Sequence, residues 1–273
     1  MPELPEIETI KTGLAPLVEG QMITRAIVRQ RKLRWPIPSK LSKILSQQII
    51  HKLGRRGKYL LFYCDRGCLL IHLGMSGVLT FVPQKTKLKK HDHVDICFAD
   101  GSCLRLHDPR RFGCMLWTDD DPLQHKLLIN LGVEPLSKKF NAKYLFMQTC
   151  KRNVSIKQLL MNNKIVVGIG NIYAAEILFK TKIHPATCAN KLTLSHCNAI
   201  VRTTKVILKR AIKAGGTTFR DYRASDGKPG YFQQKLFVYG RQGEACKICD
   251  AKLQSIILGQ RSTVFCPNCQ DRL

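Results

Sequence analysis

The sequence predicts an α+β multidomain chain. Three observations predict it: an opening helix with a regular apolar stripe, a central series of short apolar runs of strand length, and a helical region that ends in four paired cysteines. Across residues 3–18, Leu4, Ile7, Ile10, Leu14 and Leu17 recur at steps of three and four, which is one buried face of an amphipathic helix with Pro2 at its start. From 23 to 117 the pattern changes to β-branched and apolar runs broken by Gly, Asp and Pro, among them 59–64, 68–72, 94–98 and 114–117. That is the signature of an all-β sandwich or barrel. The stretch 132–140, with Pro135 and the Lys138-Lys139 pair, has the composition of a linker. Beyond it, 144–150, 156–161, 172–179 and 195–214 carry helical periodicity.

Charge narrows the class of partner. The 273 residues hold 45 Lys and Arg against 19 Asp and Glu, a formal charge of +26. This excess is far beyond what solubility needs and points to a polyanion, with nucleic acid the first choice. A membrane surface would require a basic amphipathic helix with a bulky apolar face, and a span would require about 18 consecutive apolar residues. Neither pattern is found, nor is a secretory signal, so the expected location is the cytoplasm.

The twelve cysteines fall into two groups. Cys64, Cys68, Cys97, Cys103, Cys114, Cys150, Cys188 and Cys197 are scattered, mostly among apolar neighbours, and are expected as small buried hydrophobes. Cys246 and Cys249 form one CxxC and Cys266 and Cys269 another, with sixteen residues between the pairs. This is the spacing of two knuckles closing a tetrahedral zinc site. Four thiolates leave no open coordination position. The expected cofactor is therefore one structural Zn²⁺, holding a tail of about 30 residues that could not build a core alone, with no organic cofactor.

Chemistry enters at the second residue. Initiator methionine is normally removed before a small residue, which would leave Pro2 as a secondary amine followed at once by the carboxylate of Glu3. Such an amine titrates at roughly 7.7 to 8.0 and can attack an anomeric carbon to give an iminium. Glu3 and Glu6 are then candidate acid/base and orienting groups. The competing reading is an ordinary helix start, with Pro at the first position and Glu in the first turn.

The strings MPELPEIET, RRGKYLLF around Lys58, IHLGMSG around Met75, HDPRRFG around Arg110, VVGIGNIYAAEILF around Asn171, SDGKPGYF, VYGRQGEAC and GQRSTVFCPNC occur in order over nearly the whole chain. Together they resemble the formamidopyrimidine-DNA glycosylase family. The resemblance implies an N-terminal helix on a two-layer antiparallel β-sandwich, a helix-two-turn-helix domain and a four-cysteine zinc ribbon. The corresponding boundaries are 1–131 for the catalytic domain, 132–142 for the linker, 143–240 for the helical domain and 241–273 for the zinc hairpin. It also implies a bifunctional repair enzyme, acting as a monomer in the bacterial cytoplasm and nucleoid. Such an enzyme excises oxidised purines such as 8-oxoguanine and formamidopyrimidines, then cuts the strand by β,δ-elimination.

Carried over residue by residue, the resemblance makes Pro2 the nucleophile, Glu3 the general acid/base and Glu6 its support. Lys58 reaches toward the lesion and its flanking phosphate, and Arg261 clamps phosphates beside the extruded nucleotide. Met75, Arg110 and Phe112 fill the void that base extrusion leaves, and His93, Lys157 and Asn171 contact DNA. Singly, Met75 and Phe112 would more often be core residues, although their Gly-flanked contexts LGMSG and PRRFG argue for exposed loops, and Lys58 could be a solvated lysine and Asn171 a helix N-cap. The segment 215–231 is expected to cover the flipped base. Gln158, Asn162 and His107 depart from the family's usual residues at positions away from the proposed chemistry. Two alternatives stand at this point: an endonuclease VIII-like glycosylase for oxidised pyrimidines, and a non-catalytic zinc-ribbon protein that binds nucleic acid. The second would explain the charge and the zinc but not a Pro-Glu terminus.

Overall fold

The structure, a computed structural model, describes residues 2–216 and 236–273. The segment expected to cover the flipped base therefore lies outside the described residues from 217 onward. Two compact units are formed, 1–129 with 215–230 and 130–214 with 231–273.

The first unit begins with α1 (Leu4–Val18) and continues through β1 (Ile23–Val28), α2 (Leu41–Leu45), β2 (Ile50–Arg56), β3 (Tyr59–Cys64) and β4 (Gly67–His72). It is completed by β5 (Val78–Pro83), β6 (Asp92–Phe98), β7 (Ser102–His107) and β8 (Cys114–Thr118). The strands make two four-stranded sheets, ordered β1-β6-β7-β5 and β2-β3-β4-β8. All their pairings are antiparallel. Leu60 and Phe62 of one sheet, Ile96 and Leu104 of the other, and Ile7, Ile10 and Leu14 of α1 share a single core. The helix stripe seen in the sequence thus buries against the sandwich, each large side chain contributing roughly 1.5–3 kcal/mol.

The second unit holds α3 (Ala142–Thr149), α4 (Ile156–Leu160), α5 (Asn171–Lys180), α6 (Leu194–Lys213) and the hairpin of β9 (Gln254–Leu258) with β10 (Arg261–Phe265). Asn141, Ser155 and Thr193 cap α3, α4 and α6 through their side-chain oxygens. The stretch expected as a linker is instead built into this unit: Val133 bridges Val166 and Phe140 is fully buried in the helical core. Its apolar residues outweigh its Pro and Lys signals. The cysteine tail packs on α5, where Ala175 and Phe179 meet Val238, Leu253 and Val264. No helix of the described residues is long and apolar enough to cross a membrane.

Five of the eight scattered cysteines are buried as expected, Cys64 and Cys188 are half-buried, and Cys150 is exposed. Cys150 sits at the C-cap of α3, beyond the helix's packed face. Burial pushes the Cys64 and Cys68 thiols up to about 12, and those of Cys103 and Cys114 up to about 11.

Candidate active site

Helix α1 starts at Leu4, with Glu3 as its cap and Pro5 as the proline of its first turn. Glu6 accepts the Glu3 N–H at 2.9 Å and Glu3 reciprocates, a capping box that satisfies two helix-start donors. Pro2 stands outside this arrangement. The role of helix-starting proline that competed with catalysis at Pro2 is filled by Pro5. Pro2, Glu3 and Glu6 are all buried, which takes the two carboxylates beside Pro2 out of bulk water. Gly216, at φ +84°, comes so close that a Cβ there would lie 3.0 Å from Glu6 Oε1.

Lys58 occupies the tight turn between β2 and β3, next to Gly57 at φ +57°. Only 8% of it is exposed, so it is not a solvated surface lysine. Arg55 ties this turn to α1: its Nε donates to Glu8 Oε2 at 2.6 Å and its Nη1 to the Gly57 carbonyl at 2.9 Å. Burial alone would raise the Glu8 carboxyl, but hydrogen bonds from Lys11 and Arg55 outweigh it and hold the group below its ordinary value. Opposite Tyr59 lies His72, with ring centroids 4.8 Å apart. Burial, followed by the charges of Lys58 and Arg34, pushes His72 down to about 4. The neutral ring accepts the Gly74 N–H on Nδ1 at 3.0 Å.

Met75 and Phe112 are 44% and 43% exposed, on loops rather than in the core. The Arg110 guanidinium lies 4.7 Å from the Phe112 ring centroid. A Cβ on Gly74 would lie 2.4 Å from the Phe112 carbonyl carbon, so the backbones of the two loops touch. His93 does not join them at the surface. It is buried, its Nε2 is bonded to the Asp108 carbonyl at 2.9 Å, and its place in the otherwise buried strand β6 turns it inward. His107 pairs with Asp92 through Nδ1 at 2.8 Å.

In the second unit Lys157 is 1% exposed, and its ammonium donates to Thr263 Oγ1 at 2.6 Å and to the Ser262 carbonyl at 3.4 Å. It lies beneath the hairpin instead of on the surface, contrary to the expectation of direct DNA contact. A strand passing over α4 makes a buried cation possible by supplying oxygens that its own helix lacks. Asn171 is the first residue of α5 and Gly170 is the cap, so Asn171 is not an N-cap. Its Nδ2 donates to the same Ser262 carbonyl at 3.1 Å. Both residues therefore fix β10, whose first residue is the exposed Arg261. Arg261 follows the hairpin turn of Gly259 and Gln260, which take φ of 55° and 61°.

The four sulfurs of Cys246, Cys249, Cys266 and Cys269 lie within 4.8 Å of one another, with the nearest pairs separated by 3.4 to 3.9 Å. Tetrahedral zinc with bonds of about 2.3 Å places sulfurs about 3.8 Å apart, so the quartet fits one structural zinc. Burial raises the Cys246 thiol, yet the N–H groups of Ile248 and Cys249 prevail and lower it to about 7, which favours the thiolate a metal needs. The approach to this knuckle is held by Glu176, a buried residue of α5. Its carboxylate accepts the N–H groups of Phe237, Val238 and Tyr239 at 2.9, 2.9 and 3.0 Å. Sequence reasoning missed His72, Asp108 and Glu176 as supports. All three lie inside strings quoted above, IHLGMSG, HDPRRFG and VVGIGNIYAAEILF, but nothing near Glu176 in the chain marks its task, because its partners are more than sixty residues away.

Sequence models of three domains match the chain. They are the N-terminal domain of formamidopyrimidine-DNA glycosylase over residues 1–115, that enzyme's H2TH domain over 131–223, and a zinc finger found in FPG and IleRS over 243–272. A formamidopyrimidine-DNA glycosylase of Legionella pneumophila is 51% identical over 270 residues, covering 99% of this chain and 98% of that protein. Wild-type Lactococcus lactis Fpg, solved with DNA containing N7-benzyl-Fapy-dG, superposes with a TM-score of 0.92 at 35% identity, covering 99% of this chain and 100% of that one. The same enzyme with DNA containing an abasic site gives 0.91 at 34% identity and the same coverage.

Proposed function

The chain belongs to the formamidopyrimidine-DNA glycosylase family, and from that premise we propose that it excises oxidised purines from duplex DNA and cleaves the strand at the resulting abasic site. One observation carries the assignment of the nucleophile: the capping box and Pro5 complete the helix start, which leaves Pro2 without a structural task there. Once Met1 is removed, the Pro2 amine attacks C1′ of the extruded nucleotide, the bond from C1′ to the base breaks, and the amine's N–H proton neutralises the departing base. Glu3 protonates O4′ as the deoxyribose ring opens, giving an iminium between Pro2 and C1′. Loss of the C2′ proton expels the 3′ phosphate, and loss of the C4′ proton expels the 5′ phosphate. Glu6 orients Glu3, Lys58 approaches the lesion and its flanking phosphate, and Arg261 grips the backbone as a planar fork. Met75, Phe112 and Arg110 replace the missing base in the stack. Lys157 and Asn171 act through β10, by fixing the hairpin that presents Arg261.

We assign residues 1–131 to the catalytic domain, 143–240 to the helix-two-turn-helix domain and 241–273 to the zinc hairpin, with 132–142 the leading segment packed onto the helical core. The proposed location is the bacterial cytoplasm on nucleoid DNA, with the enzyme acting as a monomer. Borohydride tests the mechanism. It should reduce the iminium on an abasic duplex to a permanent crosslink at Pro2, and a protein carrying one extra N-terminal residue should neither crosslink nor nick. Lys58→Ala should still crosslink to an abasic site while excising 8-oxoguanine poorly. The opposite pattern would move the nucleophile to Lys58.

A further inference from the structure

We propose that Asp108 is a positioning residue that locks the two void-filling loops into a single wedge; this rests on the reading of Met75, Arg110 and Phe112 given above. Asp108 is 0% exposed, and its carboxylate spans the two loops. Oδ1 accepts the Ser76 hydroxyl at 3.0 Å, next to Met75, and Oδ2 accepts the Gly113 N–H at 2.8 Å, next to Phe112. Ser76 Oγ in turn accepts the Arg110 N–H at 3.3 Å. The Asp108 backbone is fixed as well: its N–H donates to the His91 carbonyl at 3.1 Å, and its carbonyl accepts from Arg111 N at 3.1 Å and from His93 Nε2 at 2.9 Å. The loops also approach closely: a Cβ at Gly74 would lie 2.4 Å from the Phe112 carbonyl carbon, and one at Gly113 would lie 2.8 Å from the His72 carbonyl oxygen.

Inserting a side chain into a base stack requires the wedge to hold its shape against the stacked neighbours. Two independently mobile loops would lose that order at the moment of insertion. A buried carboxylate receiving hydrogen bonds from both loops supplies it, and such charge-assisted bonds are about twice as strong as neutral ones. His93, expected to touch DNA, is by this geometry one of the supports behind the wedge.

The test compares single-turnover excision of 8-oxoguanine from a duplex with nicking of a preformed abasic site, which needs less unstacking. The variants are Met75→Ala, Ser76→Ala, Asp108→Ala and Asp108→Asn. The ratio of excision to nicking should fall about tenfold in Met75→Ala, about fivefold in Ser76→Ala and more in Asp108→Ala. Asp108→Asn should recover to within about threefold of the parent, since an amide can still accept from Gly113 N and donate to Ser76 Oγ. Ser76→Ala combined with Met75→Ala should be no worse than Met75→Ala alone, the mark of two residues acting through one device. Fluorescence of 2-aminopurine beside the lesion should report slower insertion in Ser76→Ala. Ser76→Ala keeps the buried carboxylate and decides the matter if Asp108→Ala fails to fold. If Met75→Ala lowers excision and nicking equally, the wedge reading itself is wrong and the inference falls with it. If Met75→Ala is selective but Ser76→Ala and Asp108→Ala are not, Asp108 is only a core residue and the inference is overturned.

Discussion

Replacing Glu176 should loosen the chain that leads into the zinc knuckle, by an amount set by which oxygen serves which donor. Val238 and Tyr239 both donate to Oε1, and Phe237 donates to Oε2. Glu176→Gln can keep Oε1 as an acceptor, but it turns an NH₂ toward the Phe237 N–H and strands that donor. A buried donor left unsatisfied costs about 1–3 kcal/mol, so about 2 kcal/mol is expected, roughly 30-fold in the local opening equilibrium. Glu176→Ala strands all three and should cost about 4 kcal/mol, close to a thousandfold. Hydrogen exchange at the amides of residues 237–239, measured on the zinc-loaded full chain, reads both values directly. Glu244→Gln is the control, because Glu244 is exposed and, among the described residues, its carboxylate pairs across the surface with Arg241. Unchanged protection in Glu176→Gln, or an equal loss in Glu244→Gln, would refute the reasoning.

Three further outcomes follow from the same geometry. Cys249→Ser should lose its metal, measured by elemental analysis, and bind DNA more weakly while the sandwich stays folded; full zinc occupancy would contradict the four-thiolate site. Arg261→Ala should weaken binding to lesion-containing and undamaged duplexes alike, and should reduce the slope of log affinity against log salt by about one. His72, held at about 4 in the fold against an ordinary value near 6.5, contributes stability that is fully present above pH 6.5 and is lost as pH falls toward 4. The full effect is about 3 kcal/mol. Melting temperatures at pH 7 and pH 4.5 should therefore differ less in His72→Gln than in the parent, and an unchanged difference would remove His72 as the cause.

What could be read in the sequence was whatever depends on neighbours in the chain. The stripe of Leu4, Ile7, Ile10 and Leu14 is buried as its spacing required, and the run 59–64 is the strand β3 residue for residue. The metal quartet followed from two local spacings. Strand order did not, because β1 pairs with β6 across some seventy residues and the turns between carry no record of it. Lys157 and His93 show the same limit at the site. The resemblance implied that both contact DNA, but the Thr263 hydroxyl, 106 residues from Lys157, and the Asp108 carbonyl, just past β7, supply the oxygens that draw them inside. Short α2 was missed because five residues cannot establish a helical period.

The raised thiols of the sandwich bear on the setting in which such an enzyme works, since the oxidants that damage guanine also attack cysteine. Peroxide reacts with thiolate, and a thiol titrating at about 12 offers only about one molecule in 10⁵ in that form at pH 7. Cys64 and Cys68 are thereby shielded by ionisation as well as by packing, and Cys103 and Cys114 nearly as well. Cys150, exposed at the C-cap of α3, and Cys249, the exposed cysteine of the zinc knuckle, lack that packing, whereas Cys246 and Cys266 are buried. Under an oxidative burst Cys249 should thus be attacked before the thiols of the sandwich, and loss of metal from the hairpin should precede damage to the first unit.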